Sequence, residues 1–402
     1  MARVIITNIG ELFTGDIGQP ISGAREIRIE DGRIAALGAA SPKPEADIVI
    51  DAAGGAVLPG LVDGHVHPVF GEWTPAQDAI GWIGNYLHGG TTSMVSAGEL
   101  HVPGIDYNNL TPEFVTSLAV VMAQTTGRVR WSGVKVQAGT ALLVPGMTEA
   151  HFDRLAAVGT KLVKFLLYPF GGDTAEARRY VALARARGMR VKVHTGGVSR
   201  SGASAVCGYE ILSWLQPDIA AHVSGGPIPM SDADLDLLID NSTFWLEICS
   251  SGNYRSTDRA VRRMKDRGQL GRLTLGTDTP GGTGVIPRGM LRNVLYMASM
   301  CGLTPGEAVS VATGNTAKAH GLDVGLIEVG RPADVVACGP VKGSAGTSLS
   351  DAIAHGDLPG ISHVLVDGQP LIAGRSEQTP PPETPAFICC CTVGGFVGRS
   401  GG

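Results

Sequence analysis

G-L-V-D-G-H-V-H at 60–67 is a short, mostly apolar run closed by two histidines. Seven more strand-length runs follow it: TTSMVSAG (91–98), GVKVQAG (133–139), LVKFLL (162–167), RVKVH (190–194), DIAAHV (218–223), FWLEI (244–248) and RLTLGTD (272–278). Several of the intervals between them read as helices. TAEARRYVALARARG (174–188) is rich in helix formers and stops at Gly188, a C′ residue. SDADLDLLIDN (231–241) opens on Ser231, a good N-cap. Eight strands alternating with helices over 57–322 predict an α/β fold, the (β/α)8 or TIM barrel.

The flanks have a different texture. Residues 1–56 hold VIIT, EIRIE, RIAALG and DIVIDA, with an Asp-Gly hairpin signal in IEDGRI. A second Asp-Gly turn sits in VLVDGQPL, within 323–375. The two stretches are expected to pair into one small β-sandwich domain formed from both chain ends. Residues 376–402 read as a tail, Pro-rich at its start and carrying the run Cys389–Cys391. Free thiols on that tail are the favoured reading over a metal or redox site.

Composition removes whole classes of function. The chain has 402 residues, a net charge of −5, 17% charged and 44% hydrophobic residues, an ordinary globular balance. No basic excess exists to neutralise phosphates, so nucleic acid is not the expected partner. No apolar run approaches the length of a transmembrane helix, and the N-terminus lacks the pattern of a signal peptide. Seven scattered cysteines, an odd count, point to reduced thiols and a cytoplasmic location.

The chemistry gathers at the strand ends. His65 and His67 are two apart on one strand, so both side chains leave the same face. By itself an H-x-H is weak, since two histidines on a polar face are common. Lys164, His194, His222 and Asp278 then fall on later strands. Lys164, His194 and His222 follow one another by 30 and 28 residues, one β/α step each, and Asp278 comes 56 later, two steps. In a (β/α)8 barrel the C-terminal strand ends form the rim where active sites are built. Joint placement of all six on that rim by chance is much less plausible than chance placement of any one.

These residues resemble the amidohydrolase superfamily. So do TPGEAVSVATGN (304–315) and GLIEVGRPADVV (325–336). HTGG (194–197), HVSGGP (222–227), D-x-P-x-G-T-G-x-I-P-x-G (278–289) and GDLPGIS (356–362) look closest to its enamidase-like members, which open a cyclic enamide. The resemblance spans about 1–375. It implies a binuclear metal centre, with His65, His67 and Asp278 on the more buried ion and His194 and His222 on the second. The bridging position falls on Lys164, where the enamidase-like pattern has a glutamate. An ammonium has donors only and cannot bind a cation, whereas the carbamate it forms with CO2 is an anion with two oxygens. The other reading is an unmodified lysine beside a single metal. Zinc is the expected ion, and iron or manganese suits the same ligands. The implied reaction is hydrolysis through a metal-activated hydroxide, with Asp278 as proton shuttle.

Substrate recognition is read from loops that follow strands. Arg200, Tyr254, Arg255 and Arg288 occupy such loops, and an arginine there can clamp a carboxylate, although solvated loop arginines are at least as common. Glu72, Trp73 and His101 are further loop residues of this kind. His320 reads as structural, and Asn315 as a tie for the last helix.

The leading reading is therefore an amidohydrolase cutting a cyclic amide or another C–N bond in a small molecule. A second reading keeps the chemistry and takes a modified peptide, as in bottromycin-type tailoring. A third is a catalytically inactive binding relative, which the intact His65, His67, His194, His222 and Asp278 oppose. A deaminase of the one-metal type is disfavoured because HTGGV (194–198) lacks the expected glutamate. A homo-oligomer is expected.

Overall fold

The computed structural model describes residues 2–42, 45–68, 73–74, 78–99, 101–102, 104–166, 170–199 and 202–391. All eight expected central strands form, and every pairing among them is parallel. Leu61–Val66 pairs with Thr91–Ser96, which pairs with Lys135–Gln137. The third strand then breaks, and its continuation Ala141–Leu142 pairs forward with Leu162–Phe165. Gly139 makes the break possible: its φ is +92°, and a Cβ there would sit 2.5 Å from that of Ala123. Arg190–His194, Ile219–Ala221, Trp245–Cys249 and Leu273–Gly276 follow in order. The last segment returns to the first. Asp278 N donates to His65 O at 2.8 Å, and His67 N donates to Thr279 O at 2.7 Å.

That return is welded below the rim. Asp63 is fully buried and accepts from Thr277 Oγ1 (2.6 Å), Thr277 N (2.9 Å) and His65 N (3.2 Å). At Gly276 the backbones come so close that a Cβ would lie 2.4 Å from that of His65.

Helices cover the outside, with caps where the residue types predict them. Thr174–Ala186 starts at Asp173, whose carboxylate accepts from Glu176 N, and ends before Gly188 with φ +72°. Asp232–Asn241 starts at Ser231, whose hydroxyl accepts from Asp234 N. One helix runs from Pro305 to His320 with a π turn at Val311–Asn315. Asn315 ties it to the last central strand by donating to Leu270 O (2.8 Å) and Leu273 O (3.0 Å). Among the described residues no helix is long and apolar enough to cross a membrane.

The chain ends build two more sheets around a shared apolar core that includes Val4, Ile6, Ile29, Ile50, Val335 and Leu365. One has the order Phe387–Cys391, Ile48–Asp51, Val4–Thr7, Glu26–Glu30, Arg33–Gly38. The other has the order Gln369–Ile372, Gly360–Val366, Val335–Gly339, Ala56–Pro59, Glu11–Phe13, Ile21–Ser22. Both Asp-Gly hairpins form as read. Asp31 and Gly32 have φ of 49° and 77°, and Asp367 and Gly368 have 47° and 71°, the two positive values of a type I′ turn.

Two boundaries differ from the sequence reading. Ala56–Pro59 belongs to the second of these sheets, so the N-terminal sheet region runs to 59 rather than 56. Residues 376–391, read as a tail, are folded onto the body. Ser376 N donates to Ile361 O, Glu383 N donates to Pro340 O, and Phe387–Cys391 runs antiparallel to Ile48–Asp51. The reason is the exposed ladder that Ile48–Asp51 would otherwise present as an edge strand. Residues 392–402 lie outside the described residues.

Candidate active site

His65, His67, Lys164, His194, His222 and Asp278 all line one cleft of about 410 Å³. None is more than 8% exposed. His65 and His67 come from the end of the first central strand, with ring centroids 5.1 Å apart. Lys164 points in from Leu162–Phe165, and His194 is the last residue of Arg190–His194. His222 and Asp278 follow their strands with φ of +35° and +63°. Such left-handed conformations are uncommon for non-glycine residues and collect at functional sites. The His222 ring lies 4.7 Å from that of His194 and 5.3 Å from that of His65.

Hydrogen-bond accounting shows what this arrangement can hold. A carbonyl or carboxylate oxygen only accepts, so a neutral imidazole carries its one proton on the nitrogen in closer contact with such an oxygen. His65 Nδ1 thus donates to Glu247 Oε1 (2.5 Å), His67 Nδ1 to Gly98 O (2.9 Å) and His194 Nε2 to Gly197 O (2.7 Å). In neutral rings the opposite nitrogens carry lone pairs. His67 Nε2 and His65 Nε2 face Asp278 Oδ1 at 3.1 and 3.5 Å. Acceptors facing acceptors need a cation or a proton between them. These three donor atoms lie within 4.8 Å of one another, and His222 Nδ1 is buried without a hydrogen-bond partner. The donor set fits a divalent metal ion.

The electrostatics agree. Burial holds the His65 and His222 imidazoles well below their usual pKa and pulls His194 down to about 4, so these rings are neutral near pH 7. Burial, helped by the Lys192 ammonium, pulls Lys164 down to about 8.

A polar layer that the sequence reading missed lies on the same faces. Lys192 shares its strand face with His194, Asp63 shares one with His65, and Glu247 projects from FWLEI. Glu247 Oε2 accepts from Lys192 Nζ at 2.5 Å, and both side chains are fully buried. Glu99 is also buried, with Oε1 accepting from Gly139 N. A signal for Lys192 and Glu247 existed: charged residues inside otherwise apolar strands.

The loop expectations fare differently. Tyr254 is 72% exposed and packs on Tyr296, and Arg255 is paired with Asp232. Arg288 is exposed at the start of helix Gly289–Ser299. None of the three lines the cleft, because the helices that follow these strands turn them outward. Arg200 and Glu72 lie outside the described residues. Trp73 is half exposed and away from the cleft lining. His101 does line it, its ring 4.8 Å from that of His67, together with Val102, Tyr107, Leu166, Ser199 and Pro227.

A model of the amidohydrolase family matches residues 56–371. The chain is 38% identical to enamidase of Eubacterium barkeri over 390 residues, 96% of this chain and 100% of that one. It is 28% identical to an imidazolonepropionase of Mycolicibacterium smegmatis, covering 83% of this chain and 90% of that one. The crystal structure of enamidase matches with a TM-score of 0.90 at 38% identity, over 96% of this chain and 100% of that one. A putative prolidase from Bifidobacterium longum matches at 0.60 and 18% identity, covering 95% and 96%, a likeness of fold alone.

Proposed function

Since the chain belongs to the amidohydrolase family and is a hydrolase of C–N bonds other than peptide bonds, we propose that its cleft opens a compact cyclic amide. We read the architecture as a (β/α)8 barrel carrying a β-sandwich made from both chain ends. The observation that supports the site most directly is the convergence of six buried side chains on one cleft, with lone pairs facing one another.

Metal ions are general in this family. In this reading His65, His67 and Asp278 hold one divalent ion and His194 and His222 a second, with zinc expected and iron or manganese suited to the same ligands. Lys164, as a carbamate, would supply anionic oxygen ligands to them. Its neutral Nζ forms an N–C bond to CO2 and releases one proton, giving an anion with two oxygens in place of a buried ammonium. Bound ions would supply Lewis acidity toward a water and the substrate oxygen, and Asp278, at the edge of that site, would take the water's proton. Asp278 then delivers that proton to the leaving nitrogen. The Gly98, Gly197 and Glu247 oxygens hold three imidazoles in the tautomers that aim lone pairs inward.

A cleft of about 410 Å³ is the size of a small-molecule site, and Val102, Leu166 and Pro227 give it apolar walls for a ring. The relatives above give no support to a modified-peptide substrate or to an inactive binding protein. A cytoplasmic location fits the free thiols Cys249, Cys301 and Cys338.

Metal analysis with and without bicarbonate tests the centre. The wild type is expected to hold two ions per chain and Lys164→Ala to lose one, with partial rescue of turnover by short carboxylic acids. Full metal content in Lys164→Ala, without rescue, removes the carbamate.

A further inference from the structure

We infer that Glu247, gripped by Lys192, is a positioning residue that sets the tautomer of His65 and through it the affinity of the site for its metal. The inference rests on the metal-centre reading above.

Glu247 is fully buried on the strand Trp245–Cys249 and divides its two oxygens between two partners. Oε1 accepts from His65 Nδ1 at 2.5 Å. Oε2 accepts from Lys192 Nζ at 2.5 Å. Lys192 Nζ also donates to Gly64 O at 2.7 Å, the carbonyl just before His65. One lysine thus holds both the backbone that carries His65 and the carboxylate that holds its ring. Cys249 Sγ at 3.7 Å and His320 Nε2 at 3.9 Å complete the surroundings of the carboxylate.

A buried ion pair is a poor way to gain stability, because apolar residues of the same volume do as well or better. Its cost points to another use. With the carboxylate accepting, the proton of His65 sits on Nδ1, and Nε2 presents its lone pair toward Asp278 Oδ1. A carboxylate on the far nitrogen also makes the ligating nitrogen more basic. Without Glu247 the ring is free to carry its proton on Nε2, aimed at the place a cation must occupy. The Lys192 ammonium keeps the carboxylate from standing alone in the interior.

Two measurements test this. The first uses metal-free wild-type protein with ring-15N histidine, the His65 signals being assigned against His65→Asn. A protonated Nδ1 is expected, and a protonated Nε2 overturns the inference whether or not any variant folds. The second measures Zn2+ affinity by chelator competition in two double variants that remove both charges together. Lys192→Met with Glu247→Leu leaves no acceptor and is expected to bind Zn2+ about 10–100-fold more weakly than wild type. Lys192→Met with Glu247→Gln keeps an amide oxygen for His65 and is expected to stay within about threefold. Equal affinities in the two double variants overturn the inference, since a purely structural role does not distinguish them. Wild type that binds no Zn2+ overturns the metal-centre reading instead, and the tautomer measurement still stands apart from it.

Discussion

Gly282→Ala offers a sharp test of how closely Asp278 is fitted. A Cβ at Gly282 would lie 1.9 Å from Asp278 Oδ2 and 2.4 Å from its Cγ. Ordinary contact begins near 3.4 Å, so the carboxylate must move by about 1.5 Å or the loop must shift. Gly282 lies in an exposed turn and its φ is outside the left-handed region, so the alanine backbone itself is unstrained. The cost therefore falls on the carboxylate, which is held against His67 and His65 at 3.1 and 3.5 Å. A misplacement of about 1 Å in a reacting group costs on the order of 100-fold in rate, roughly 2.7 kcal/mol in the barrier. We expect turnover of a cyclic amide to fall about 100-fold, with a melting temperature within a few degrees of wild type. Steady-state kinetics, metal analysis and a thermal melt on the same preparation check this. Turnover within fivefold of wild type, with the fold intact, refutes the claim that Asp278 must sit where it does.

Three further outcomes are expected. Asp278→Asn keeps its metal and loses most of its turnover, and kinetics near wild type would remove the proton-shuttle role. Burial pushes Glu99 from 4.5 up to about 7, so the stability tied to its neutral form is full below about pH 4.5 and is lost as pH rises through 7. That change is worth about 3 kcal/mol, so Glu99→Gln should gain roughly that much over wild type between pH 5 and 8 in urea titrations. A pH-independent difference between the two contradicts it. Asn315→Ala removes two buried hydrogen bonds, to Leu270 O and Leu273 O, and at about 0.5–1.5 kcal/mol per bond it should cost on the order of 1–3 kcal/mol. An unchanged urea midpoint speaks against the tie between helix and strand.

Much of this molecule was legible in one dimension because its signals are local. The alternation of strands and helices, the caps at Ser231 and Gly188, and the two Asp-Gly hairpins each depend on a few neighbouring residues. The six side chains that line the cleft were legible through their recurrence at strand ends, because successive parallel strands bring equal sequence steps to the same end.

Other features depend on distance in space. Tyr254, Arg255 and Arg288 had the right chain positions, yet the helices they begin carry them away from the cleft. The stretch 376–391 looked like a tail because nothing near it in sequence needs it; the edge of Ile48–Asp51 does. Glu247 and Lys192 are 55 residues apart and meet only because their strands, separated in the sheet by Ile219–Ala221, both turn these side chains to the same interior. The residue types alone thus determined the strand and helix elements and a set of candidate ligands at strand ends, and the class of chemistry followed from the motifs' resemblance to a family. Only tertiary packing decided which lone pairs converge, which charges neutralise one another beneath them, and which arginines stay in water. Hydrogen bonds and ion pairs act over a few ångströms, and the order of residues does not record such distances.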